Sequence, residues 1–139
     1  MNRRHFLASV SATAIMPMRT FAAQDALRLK AEMVTQQILP DGDGATSMLG
    51  FNGSMPGPEL RVQRGERVNI EVENGLEEGT AVHWHGIRLE NQMDGVPMLT
   101  QELIQPAGTK TYSFIPPDEG TYWYHSHYIS HEQVARGMM

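Results

Sequence analysis

Apolar residues recur at every second position through much of this chain, and turn-forming residues interrupt them at short intervals. Leu27, Leu29, Ala31 and Met33 alternate, as do Val68, Ile70 and Val72, then Tyr112 and Phe114. Residues i and i+2 share one face of an extended strand, so such runs describe strands with one buried face rather than helices. Between them lie Asp41-Gly42-Asp43-Gly44, Asn52-Gly53, Met55-Pro56-Gly57-Pro58, Arg64-Gly65-Glu66, Asn74-Gly75, Pro106-Ala107-Gly108 and Pro116-Pro117-Asp118-Glu119-Gly120. Gly, Pro, Asn and Asp favour chain reversal in such segments. Short strands with turns at this spacing predict an all-β sandwich or barrel. The one stretch with helical character runs from Ser130 to Arg136.

A length of 139 residues suits one domain. No run of eighteen apolar residues is present, so no membrane-spanning helix is predicted. A net charge of −5 argues against a nucleic-acid partner, since a phosphate backbone needs a basic face. Residues 1–22 read as an export signal: Arg3-Arg4 precedes an apolar run from Phe6 to Met16, and Thr20-Phe21-Ala22 suits cleavage after Ala22. The paired arginines resemble a twin-arginine signal, which predicts a periplasmic location and places the folded domain at 23–139. Removing the signal takes away three arginines and no acid, leaving 8 basic and 16 acidic side chains, a net of −8. An oxidising compartment permits disulfides, yet the chain has no cysteine and so offers no thiolate ligand either.

Two identically spaced histidine pairs stand out, His83-Trp84-His85-Gly86 and His125-Ser126-His127. On strands, each pair aims two imidazoles at one face. Two such strands side by side gather four ring nitrogens, a donor set suited to copper or zinc. Both pairs fall at predicted strand ends, the first on a strand starting near Thr80 and the second closing the run Thr121-Tyr122-Trp123-Tyr124. Loops meet a rigid scaffold at such positions, where sites are commonly built. A cupin barrel also uses a His-x-His followed by Glu, here Glu90, but Thr111 stands where its last histidine belongs and the second pair has no place in it.

Asn52-Gly53-Ser54-Met55-Pro56-Gly57-Pro58, His83-Trp84-His85-Gly86, Met93-Asp94-Gly95-Val96-Pro97 and Gly120-Thr121-Tyr122-Trp123-Tyr124-His125-Ser126-His127 together resemble the first domain of a multicopper oxidase. That family includes laccases, ascorbate oxidase, bilirubin oxidase and bacterial copper-resistance oxidases, and the similarity spans about residues 45–139. The resemblance implies a Greek-key cupredoxin-like sandwich that supplies half the ligands of a three-copper cluster acting on dioxygen. His83 would bind the type 2 copper, His85 and His125 would share one type 3 copper, and His127 would bind the other. Asp94 matches an acidic residue that assists proton delivery; a turn aspartate capping Gly95 is the alternative reading. Trp84 and Trp123 are expected to wall the site, with packing as core aromatics the alternative, and the two readings are compatible.

The resemblance is incomplete. The family's later His-x-x-His-x-His and His-Cys-His runs are absent, and without cysteine no type 1 copper can form in this chain. Past Arg136-Gly137-Met138-Met139 the family continues into a closing strand, so the sandwich is expected to lack its last strand and to leave an unpaired apolar edge. Three readings follow: the amino-terminal piece of a periplasmic oxidase, inactive alone and completed by a missing carboxy-terminal portion; a stand-alone copper carrier, completed by another copy; or a cupin-like metalloenzyme. The ten methionines are scattered and read mainly as core, and His131 reads as a solvated helix position.

Overall fold

The computed structural model describes residues 26–139, so the predicted signal at 1–22 lies outside them. The described residues form six strands: β1 (Leu27–Gln36), β2 (Thr46–Phe51), β3 (Val68–Asn74), β4 (Val82–His85), β5 (Thr109–Phe114) and β6 (Trp123–Ser126). A short helix, α1 (Ser130–Gln133), follows them, ending before the predicted Arg136. One sheet has the order β2-β1-β3-β5, and β4 pairs with β6 in the other. Within the first sheet β1 runs parallel to β3, while β1–β2 and β3–β5 are antiparallel. The architecture is a cupredoxin-like β-sandwich and not a closed barrel. That excludes the cupin reading; Thr111 is exposed on β5, in the sheet that does not carry the histidines.

The alternating residues build the core as their spacing demands. Leu29, Ala31, Val68, Ile70, Val72, Tyr112 and Phe114 of the larger sheet meet Val82 and Trp84 of the smaller one, all at most 4% exposed. Register places Ile70 beside Tyr112 and Val68 beside Phe114, the same-face cross-strand pairs that stabilise a sheet. Met33 keeps the inward phase opposite Leu49 yet is 56% exposed. It lies past Ala31, where β1 loses its pairing with β3.

The crossing from one sheet to the other is what places the histidine strands. Asn74 is fully buried; its Nδ2 donates to the carbonyls of Glu78 and Ile104, and its Oδ1 accepts from the Leu76 amide. This closes the predicted Asn74-Gly75 turn by a local side-chain mimic of the backbone. Thr80 then bridges Ile104, and β4 begins two residues later. At the far end the chain folds back: the Ser126 amide donates to the Met138 carbonyl, Leu49 to Arg136, and Gly57 to Met139. Arg136–Met139 are thus bonded to β2, to β6 and to the segment at Gly57. Between the layers a groove of about 560 Å³ stays open, with Leu60, Trp84, Ile87, Phe114 and Met139 in its wall.

Candidate metal centre

β4 and β6 pair antiparallel with His83 directly opposite His125, Trp84 opposite Tyr124 and His85 opposite Trp123. With a side-chain period of two, His83, His85, Trp123 and His125 share one face, and Val82, Trp84, Tyr124 and Ser126 share the other. The second face enters the core. Trp84 is 3% exposed and meets Tyr112 edge-on at 5.2 Å, with Phe114 at 5.5 Å. Of the two readings open for Trp84, the core one holds and the wall one does not: one peptide step along the strand turns it away from the imidazoles. Trp123 does face them, its ring 4.1 Å from that of His125 and 5.0 Å from that of His85.

The ligand-capable atoms of His83, His85 and His125 all lie within 4.8 Å of one another. His85 Nδ1 is 3.3 Å from His125 Nε2. Imidazole binds a divalent first-row metal at about 2.0–2.1 Å, and tetrahedral angles at the metal then put neighbouring ligand nitrogens roughly 3.3–3.4 Å apart. The His85–His125 pair has that separation. His127 continues the ladder past β6, its amide donating to Ala81 at 2.9 Å, and its ring stands 5.2 Å from that of His83. It flanks the close group of three without belonging to it. His131 is exposed on α1 and lies outside the group.

Carbonyl oxygens set the ring tautomers. His125 Nδ1 lies 2.7 Å from the Ser126 carbonyl and His83 Nδ1 2.7 Å from the Asp94 carbonyl. A carbonyl only accepts, so each Nδ1 carries the proton and each Nε2 keeps its lone pair for the site. Burial lowers the His125 imidazole below its ordinary range; the Ser126 carbonyl opposes that shift, and His83, His85 and His127 add to it. A neutral imidazole is the ligating form. The donor set, its spacing and its protonation state therefore fit copper.

Asp94 reaches His83 twice, through its carbonyl and through Oδ1 at 3.4 Å from Nδ1. The loop can approach so closely because the next residue is Gly95, at φ +79°, where a β-carbon would collide with the backbone of Val82 and His83. Glu90 is exposed and outside the cluster. Sequence reasoning missed the polar residues behind the site, Thr80 and Gln133, both fully buried; nothing in their local pattern sets them apart from solvated side chains.

The family model for multicopper oxidase matches residues 32–139. Copper resistance protein A of Pseudomonas syringae pv. tomato is 48% identical over 87 residues, covering 63% of this chain and 14% of that protein. Copper resistance protein A of Escherichia coli is 37% identical over 145 residues, covering 95% of this chain and 24% of that protein. Among solved structures, Lac15 from a marine microbial metagenome superposes with a TM-score of 0.77 at 54% identity, covering 81% of this chain and 30% of that one. The chain thus spans less than a third of the length of these relatives. Fold, histidine geometry and these similarities converge: the chain belongs to the multicopper oxidase family.

Proposed function

We propose that this chain is the amino-terminal copper-binding domain, residues 23–139, of an exported, periplasmic multicopper oxidase, with His83, His85, His125 and His127 as its metal ligands. The observation that carries the proposal is the approach of His85 Nδ1 to His125 Nε2 at 3.3 Å, with His83 beside them on the same strand face. In this reading His83 holds the type 2 copper, His85 and His125 share one type 3 copper, and His127 holds the other. Copper would supply the one-electron redox chemistry that couples oxidation of a phenolic or metal-ion substrate to reduction of dioxygen to water. The residues of this chain orient the donors. The Asp94 and Ser126 carbonyls hold protons on the outer ring nitrogens, and Trp123 covers His125 from one side. In this reading Asp94 would pass protons from solvent, a role supported by its side chain being 36% exposed with Oδ1 beside His83. The remaining ligands and the electron-accepting copper would come from sequence outside this chain, in keeping with the small share of each relative that it spans.

Calorimetric titration with Cu(II) tests the ligand set. The chain should take up copper saturably, and His85→Ala combined with His127→Ala should abolish that uptake. Unchanged binding by the double variant refutes the assignment.

A further inference from the structure

On the core side of the β4–β6 pair, behind the histidines, one buried amide joins β6 to the residue that leads into β4. Gln133 is fully buried, as are Thr80 and Ser126. Its Oε1 accepts from Thr80 Oγ1 at 2.8 Å and from Ser126 Oγ at 2.5 Å. Its Nε2 donates to Glu78 Oε1 at 2.9 Å and to the Gly79 carbonyl at 3.0 Å. The amide thus satisfies its full hydrogen-bonding capacity, and removing it would take one partner from each of four polar groups at once. Thr80 stands two residues ahead of β4, and Ser126 sits between His125 and His127. The Ser126 carbonyl also receives the His125 ring proton. Gln133 therefore holds the side chain of Ser126, whose own backbone carbonyl accepts from an imidazole of the site, and also holds Thr80, which leads into the strand bearing His83 and His85.

We propose that Gln133 is a positioning residue: by tying Thr80 to Ser126 from behind, it sets the spacing between the two histidine pairs in front. The inference rests on the copper-binding reading above and deepens it. Fully satisfied buried networks hold one geometry, and groups that orient ligands from behind typically govern about ten- to a hundredfold in metal affinity.

The test compares the full chain with Gln133→Leu, Ser126→Ala and Val34→Ala. Val34 is buried on β1 away from the histidines and controls for a general loss of stability. Cu(II) affinity by calorimetry should fall about tenfold in Gln133→Leu and Ser126→Ala and stay unchanged in Val34→Ala, despite a lower melting temperature. Nitrogen NMR of the metal-free chain should show the His125 ring proton losing its fixed Nδ1 position in the first two variants alone. Should Gln133→Leu fail to fold, Ser126→Ala decides the matter. Unchanged affinity and tautomer there, or affinity tracking melting temperature in every variant, overturns the proposal. Absence of copper binding by the unaltered chain would instead refute the copper reading, while the tautomer measurement would still report on the tie.

Discussion

Gly95→Ala should damage this domain more than its conservative appearance suggests, for two separable reasons. Gly95 has φ +79°, where a β-carbon costs about 1–2 kcal/mol. The added carbon would also stand 2.6 Å from the Val82 carbonyl carbon and 3.1 Å from His83 Cα, with the Val82 oxygen closer still. These are strand backbone atoms and cannot swing aside. The loop must move instead, and doing so breaks the 2.7 Å bond between His83 Nδ1 and the Asp94 carbonyl, a further loss of about 1 kcal/mol. The sum is about 2–3 kcal/mol, which for a domain of this size lowers the melting temperature by about 8–12 °C. Gly53 supplies the control: its φ is +78°, but nothing lies within 4 Å of an added carbon, so Gly53→Ala should show only the conformational part. Thermal unfolding monitored by circular dichroism measures both variants, and Cu(II) affinity should drop in Gly95→Ala by about tenfold or more as His83 loses its fixed tautomer. If Gly95→Ala is no less stable than Gly53→Ala and binds copper normally, the close approach of the loop is not what orients His83.

Burial pushes the Tyr124 phenol up to about 12, and its hydroxyl donates to the Pro58 carbonyl at 2.9 Å. A folded-state value above the ordinary 10.0 means that its stabilising contribution is complete below that pH and lost as pH rises towards 12. Denaturant unfolding should show an alkaline decline that Tyr124→Phe diminishes; equal declines refute this. Because Trp123 stacks on His125 while Trp84 faces the core, Cu(II) should quench indole fluorescence mainly through Trp123. Trp123→Phe should remove most of the quenching, and persistence of it would place the metal elsewhere. With no cysteine, copper-loaded chain should show neither the intense blue absorption of a copper–thiolate bond nor phenol oxidation; either signal in a pure sample contradicts the proposed division of ligands.

The strands of the core were legible because burial on one face writes itself into every second residue, as in Val68, Ile70 and Val72. β2 escaped for the opposite reason. Met48, Leu49, Gly50 and Phe51 are all buried, with Leu49 and Phe51 in the core and Met48 against the segment at Gly137, so no alternation survives. The histidine pairs were legible because metal ligation from a strand obeys the same period. That period gives the face but not the separation, so the closer grouping of His83, His85 and His125 than of His127 emerged only from the fold. It also left Trp84 ambiguous, since the direction of one side chain depends on which side the core lies. Gln133 was invisible, because a buried polar residue on a four-residue helix carries no periodic mark.

The two-faced ribbon of β4 and β6 constrains how this domain can change length. Adding or deleting one residue inside Val82–His85 would present Trp84 to solvent and send an imidazole inward, wrecking the core and the donor set in a single event. Insertions at the exposed Met98–Leu99 turn of the 86–108 connector, or within the 115–122 connector, lie clear of Asp94, Gly95 and Ile104 and leave that arrangement untouched. Variation in loop size should therefore be borne by these connectors, while the short ribbon itself keeps a constant residue count.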